Sequence, residues 1–265
     1  MKFKLAFGVA AMMAAFVATA PAARADALSD IKAAGKIRVA TAMGVPLFAY
    51  VDPQLQPAGS DVETAKMIAD SLGVKLELVQ ITNAARVPTI QAHKADILVA
   101  NLAITPERKK AVDFTIPYAT LDIIVAGPKG VAISDYKDLA GKRIGVTRAT
   151  VNDMMVSENA KDAEIVRFED DATLITAVAS GQVDVVSTQT AVLAAMNEKK
   201  GGDPLDVKFV QKSLDLGIAL PQNEPKLKEW LNNWITEKFK SGELPAMFKK
   251  FHNRDLPADL LTRKD

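Results

Sequence analysis

The residues whose types and spacing could do chemistry lie at 102–114, LAITPERKKAVDF. Thr105 is a natural helix N-cap and Pro106 a natural first helical residue, so the spacing predicts a helix running through TPERKKAVDF. Arg108 then falls at the third helical position. That end of a helix carries partial positive charge, so an acidic residue or glutamine is the usual occupant and a cation is mildly disfavoured. Such a cation is either solvated or placed to meet an anion, and spacing alone favours the first. The chemistry available to it is bidentate capture of a carboxylate.

Other chemistries find little support. The chain has no G-x-S-x-G elbow, Walker A pattern, G-x-G-x-x-G or H-E-x-x-H. It has no cysteine, which removes disulfides, thiol nucleophiles and thiolate metal sites. The two histidines, His93 and His252, cannot make a histidine metal cluster, and a solvated role is expected for each. No cofactor or metal is implied. Net charge is +1 with no basic cluster, which argues against a nucleic-acid partner.

The elements that must position Arg108 follow from the periodicity. Residues 1–25 combine Lys2 and Lys4, the apolar run LAFGVAAMMAAFVA and Ala23-Arg24-Ala25, which together predict a cleaved secretory signal peptide. A membrane anchor fits less well, because the run is short and Pro21 follows it. A helix near 28–34 precedes the strand KIRVAT. SDVETAKMIADSLG reads as an amphipathic helix, with Val62, Ala65, Ile68, Ala69 and Leu72 on one face and Gly73 as its C-cap. VKLELVQIT is a strand, RVPTIQAHK a short helix and ADILVAN a buried strand. This alternation implies an α/β fold with a mostly parallel sheet.

The alternation then restarts. LDIIVAGPK and RIGVT read as strands, then TVNDMMVSENA, AEIVRFE, DATLITAVASG, QVDVVST and TAVLAAMNEKKGG alternate helix and strand. DVKFV and LGIAL follow as strands, and KLKEWLNNWITEKFKSG and ELPAMFKKF as helices. Trp230 and Trp234 share one helix face, where core packing is expected. The final helices have no strand unit of their own and should return to the first. The expected organisation is therefore two lobes, 26–117 with 217–265 and 123–211, joined by extended hinge segments at 118–122 and 212–216. In parallel α/β units ligands meet the loops after strands. Residues 101–105, NLAIT, can offer backbone groups of Asn101 and Ala103, and Arg148–Thr150 precedes a helix whose N-terminus suits an anion.

The segments GSDVETAKMIADSLGVKLELV, KADILVANLAITPERKKAVDFTIPY, DLAGKRIGVTRAT and GQVDVV, with the terminal helix pair, resemble a periplasmic polar amino-acid-binding protein of an ABC importer, in bacterial solute-binding protein family 3. The resemblance covers residues 26–251 and implies a two-lobed type II periplasmic binding protein fold. It also implies a periplasmic, monomeric protein, free of a lipoprotein cysteine, that hands a small polar or acidic amino acid or related carboxylate to an inner-membrane permease. In the family the arginine matching Arg108 holds the ligand α-carboxylate, helped by a threonine matching Thr150. TNAARVPTIQ is similar to the glutamate/aspartate-binding branch, in which the arginine matching Arg86 lies near the ligand side-chain carboxylate. A surface arginine at a helix start explains Arg86 equally well.

The chain also departs from the family pattern. Ala103 replaces the usual Ser or Thr, and the usual G-T-T reads Ala149-Thr150-Val151. Gln189 matches the aspartate that pairs with the ligand ammonium, so a neutral acceptor replaces a charged one. Asn83 and Gly44 stand where relatives place stacking aromatics; Phe48 or Tyr50 could compensate, although core packing suits Phe48 as well. The cleft is expected to be rich in arginine and poor in acid. Two other readings stay open. One is a secreted enzyme on this fold, of the cyclohexadienyl dehydratase type, with Asp153, Glu158, Glu169 or Asp170 as acid. The other is a ligand-sensing protein for a membrane receptor.

Overall fold

The computed structural model describes residues 26–263. The segment expected to be a signal peptide, 1–25, lies outside them. Strand β1 (Lys36–Ala42) pairs in parallel with β4 (Lys75–Ile81) on one side and β5 (Ile97–Leu98) on the other. Helices α1 (Ala27–Ala34), α2 (Ser60–Leu72) and α3 (Arg86–Gln91) belong to this ladder. In α2 the residues Val62, Ala65, Ile68 and Ala69 are buried, as their spacing predicts. Gly73 ends the helix at φ 67°, returning its N–H to Ala69 and Asp70 carbonyls, a conformation that costs glycine little. A short hairpin of β2 (Tyr50–Val51) and β3 (Pro57–Ala58) leads into α2.

A second parallel ladder places β7 (Arg143–Thr147) between β8 (Glu164–Phe168) and β9 (Val185–Gln189). Helices α5 (Val151–Asn159), α6 (Asp171–Ala179) and α7 (Thr190–Lys200) alternate with these strands. Two long antiparallel strands, β6 (Asp113–Pro128) and β10 (Leu205–Leu220), run through both ladders. The full strand order is β4-β1-β5-β10-β6-β9-β7-β8. Helix α8 (Pro225–Lys240) packs on α1 and β6, and α9 (Glu243–His252) on α2, so the terminal helices do return to the first ladder. Trp234 is buried there and donates its ring N–H to Ser71 Oγ at 2.9 Å; Trp230 is half-buried against the same core.

Two local expectations need correction. The helix opened by Pro106 is one turn, α4 (Pro106–Lys109), and Asp113 already begins β6. Segment 106–114 places too few apolar side chains at helical spacing to bury a face, and the ribbon partner β10 claims Asp113 and Phe114 instead. LDIIVAGPK, DVKFV and LGIAL are likewise not separate strands but pieces of the two long ones. Within that ribbon, Ala119 to Asp122 lie opposite Leu216 to Ser213, so the two segments expected to cross between lobes are hydrogen-bonded neighbours. The ladder shifts register at Leu216/Gly217. Gly217 is required there by contact: a Cβ would lie 2.8 Å from the Phe114 ring and 2.9 Å from Ile104.

Candidate functional site

The wall built by the first ladder starts from a buried carboxylate. Asp61, in the first turn of α2, accepts a hydrogen bond from Tyr118 Oη at 2.7 Å, and the backbone N–H of Asn101 favours its ionised form. Asn101 holds φ 40°, a left-handed conformation that asparagine tolerates better than most residues. The Asn101 side chain then faces two ways. Its Oδ1 accepts from Arg86 Nη1 at 3.1 Å, and its Nδ2 donates to Gln189 Oε1 at 3.3 Å, across to the second ladder.

Arg86 is almost fully buried, so it is not a surface arginine. Its Nε donates to the Asn83 carbonyl at 2.9 Å and its Nη1 also to the Ala100 carbonyl at 3.3 Å. Burial lowers its pKa to about 10, against the pull of Asp171 and Asp61, which hold it charged. The same burial raises the Asp61 carboxyl to about 7, opposed by the Tyr118 and Asn101 bonds and by Arg86, and it pushes the Tyr118 hydroxyl well up.

Arg108 takes up the position its sequence context suggests. Thr105 caps its backbone N–H at 3.2 Å, and the guanidinium folds back so that Nη1 donates to the Ala103 carbonyl at 2.9 Å. Nη2 reaches the Ala149 carbonyl of the second ladder at 3.3 Å. Burial lowers its pKa to about 9, and the Arg86 charge lowers it further in the same sense. Both arginines are therefore cations at neutral pH.

The opposing wall is made of strand ends and helix starts. Thr150 caps α5: its Oγ1 accepts from Asp153 N at 3.2 Å and donates to the Thr147 carbonyl at 2.7 Å. Ala149 holds φ 59°, a left-handed conformation, where the sequence resemblance implies a glycine. Thr147 donates its hydroxyl to Asp171 Oδ1 at 2.5 Å, and Asn83 from the first ladder donates its amide to Asp171 Oδ2 at 3.2 Å. Burial pushes the Asp171 carboxyl up, opposed by those two bonds and by Arg86.

One cavity lies between these walls. Asn83, Arg86, Asn101, Ala103 and Arg108 line it from one side, and Thr150, Val151 and Gln189 from the other. Leu121, Ile123 and Leu214 of the central ribbon complete its lining, and Leu121 and Leu214 are direct cross-strand partners. Among the described residues three hydrogen bonds already span the gap: Arg108 to Ala149, Asn101 to Gln189 and Asn83 to Asp171.

Two expected members lie elsewhere. Arg148 points out to solvent, 3.5 Å from Glu169, because the left-handed turn at Ala149 presents the backbone and not its neighbour's side chain to Arg108. Phe48 is buried away from this cavity with its ring 4.4 Å from that of His252. Its carbonyl caps α2 by accepting from Asp61 N at 2.8 Å, and Gly59 is needed because a Cβ would sit 2.3 Å from that oxygen. His252 is likewise not solvated: it stacks on Phe248 at 4.1 Å and pairs with Ser60 Oγ at 2.9 Å. Burial lowers its pKa to about 4, and the Arg254 charge acts in the same direction.

The expectation of an acid-poor cleft is also corrected. Asp171 lines the cavity, and the charges of Asp171 and Asp61 both act on Arg86. The carboxylates weighed from sequence do other work. Asp170 caps α6, Asp153 pairs with Arg167 at 2.8 Å, Glu169 lies beside Arg148, and Glu158 is exposed. Thr147 and Asp171 were legible by the rule that singled out Thr150, since each stands at a strand end or the following helix start.

A family model described as bacterial extracellular solute-binding proteins, family 3, matches residues 37–254. The chain belongs to this family. It is 30% identical over 240 residues to the glutamine-binding protein of an ABC transporter in Bacillus subtilis, covering 88% of this chain and 87% of the relative. A crystal structure of a mutant arginine-binding protein from T. maritima superposes with TM-score 0.80 at 30% identity, covering 86% of this chain and all (100%) of that one. A reconstructed ancestral amino-acid-binding protein, described as a precursor of cyclohexadienyl dehydratase, superposes with TM-score 0.78 at 31% identity, covering 84% and 98% of the two chains. The family is one of binding proteins, and the two-ladder α/β architecture is that of these periplasmic binding protein neighbours.

Proposed function

We propose that this chain is the substrate-binding component of an ABC importer, capturing an α-amino acid between its two ladders and presenting it to a membrane permease. The observation that carries the reading is Arg108: a half-buried guanidinium whose Nη2 spans the gap to a carbonyl oxygen opposite. In the liganded protein the α-carboxylate takes the place of that Ala149 carbonyl. The hydroxyl of Thr150 and the start of α5 face it from the second wall. Gln189 Oε1 accepts from the ligand ammonium, exchanging its present bond from Asn101.

The lobes are 26–117 with 217–263 and 123–211, and the paired segments 118–122 and 212–216 act as the hinge. Leu121 and Leu214 line the cavity from that hinge, so ligand contact and closure are felt by the same residues. Closure removes water and lowers the dielectric around each polar contact, which strengthens it. Micromolar binding needs about 8 kcal/mol net, within reach of a few charge-assisted bonds in a closed site. The protein works in the periplasm as a monomer.

The test is calorimetric titration of the mature protein with a panel of L-amino acids. One or more should bind, and Arg108→Ala should weaken that binding about 100-fold, the loss of roughly 3 kcal/mol of charge-assisted bonding. Unchanged affinity in the variant would refute the clamp. A second reading, an enzyme of the dehydratase type, is favoured by one observation: Asp171 is a buried carboxyl with a raised pKa inside the cavity, as a general acid would be. Release of product from prephenate or arogenate would support it over the carrier.

A further inference from the structure

The cavity's charges are unevenly shared. Arg108 touches Ala103 and Ala149 through its guanidinium, and no carboxylate acts on it among the groups that set its pKa. Arg86 is different: Asp171 and Asp61 both act on it, and its Nε and Nη1 donors are spent on Asn83, Ala100 and Asn101. Arg86 thus sits in the field of two carboxylates with Nε and Nη1 engaged inside its own wall, and among the described residues only its Nη2 has no hydrogen bond. The residue beside it with acceptor capacity is Asp171, which is 6% exposed and lines the cavity. Its Oδ1 takes the Thr147 hydroxyl, and its Oδ2 takes an N–H donor from Asn83, a residue of the opposite wall. A ligand amide, imidazole, guanidinium or ammonium offers that same donor chemistry. A ligand carboxylate would instead bring a second negative charge to a desolvated one, which such sites strongly disfavour.

Resting on the carrier reading above, we propose that Asp171 sets the ligand class: it selects amino acids whose side chain is neutral or cationic and carries a hydrogen-bond donor, and it rejects acidic ones. The α-carboxylate goes to Arg108, which has no carboxylate partner among the described residues. The side chain goes to the end where Asp171 accepts, displacing the Asn83 amide from Oδ2. Arg86 holds the wall together and does not act as a clamp for a second ligand carboxylate.

The deciding experiment is calorimetry on the mature protein with L-glutamine, L-arginine, L-histidine and L-glutamate, repeated with Asp171→Asn. The wild type should bind L-glutamate at least tenfold more weakly than its best ligand among the other three. Asp171→Asn should reduce that preference at least tenfold, because an amide in place of the carboxylate lifts the repulsion. A purely structural Asp171 would shift every affinity by a similar factor and leave the ratio unchanged, which would overturn the proposal. Equal or tighter wild-type binding of L-glutamate would overturn it too, and this ranking decides even if Asp171→Asn and a second variant, Asp171→Ser, fail to fold. If none of the four amino acids nor any other in the panel binds, the carrier reading falls and the selection argument falls with it.

Discussion

The two walls of the cavity are built on different principles. The first-ladder wall is a buried ionic and hydrogen-bonded network in which Asp61, Tyr118, Asn101 and Arg86 satisfy one another. The second-ladder wall is a set of local motifs: a helix cap at Thr150, a left-handed turn at Ala149 and a carboxylate held by one hydroxyl from its own ladder and one amide from across. The first wall is expensive to disturb, because each buried charge depends on the others. The second is assembled from pieces that can change one at a time. This difference underlies the proposal that Arg86 maintains the fold and that ligand discrimination falls to the residues opposite.

The largest expected effect tests that assignment directly. Arg86→Ala should lower unfolding free energy by about 3–5 kcal/mol, since it strands Asp61 and Asp171 without their shared cation. Urea unfolding measures it. A loss below ~1 kcal/mol would mean that the first wall is no more interdependent than the second.

A pH series sharpens the contrast. Asp61 has a folded pKa near 7 against an ordinary 3.8, so the folded state holds its proton more tightly than the unfolded chain. Its contribution to stability is full below the lower value, declines as pH rises and is gone once pH passes the upper one. Asp61→Asn should therefore remove a stability decline of roughly 1–3 kcal/mol between pH 5 and 8. His252 acts with the opposite sign: its folded pKa near 4 lies below the usual 6.5, so its contribution is present above 6.5 and is lost as pH falls through 4. Unfolding curves for the wild type and Asp61→Asn separate the two, because only the Asp61 slope should vanish.

The smallest effect concerns the second wall. Ala149 sits at φ 59°, where a Cβ costs about 1–2 kcal/mol, partly offset by the greater chain entropy that glycine loses on folding. Ala149→Gly should stabilise the protein by about 0.5 kcal/mol and leave the Arg108 contact in place. A destabilised variant would show that the turn is held by something other than its backbone geometry.

Much of the fold was readable from alternation. The amphipathic face of α2 and its Gly73 stop are local properties of the chain, and the structure reproduces them. The Thr105 cap and the place of Arg108 were also local, because a capping hydroxyl and a following proline act within one turn. The length of that helix was not readable, since nothing nearby signals that β10 will draw Asp113 into a strand. The sequence left Phe48 open between core and cleft and expected His252 to be solvated, for a similar reason: their tilted ring contact joins residues some 200 positions apart in the chain.

What the amino-acid sequence determined by itself was what depends on near neighbours: the alternation of strands and helices within each ladder, helix caps such as Thr105 and Gly73, and an arginine set at the start of a turn after a strand. Only the tertiary structure decided what charge the cavity carries. Asp171 and Arg86 are 85 positions apart in the chain, and Asp61 lies 25 before Arg86. Asp61 meets Arg86 within the first ladder and Asp171 reaches them from the second across the central ribbon, and Coulomb interactions there depend on distance and on excluded water, neither of which a linear pattern encodes.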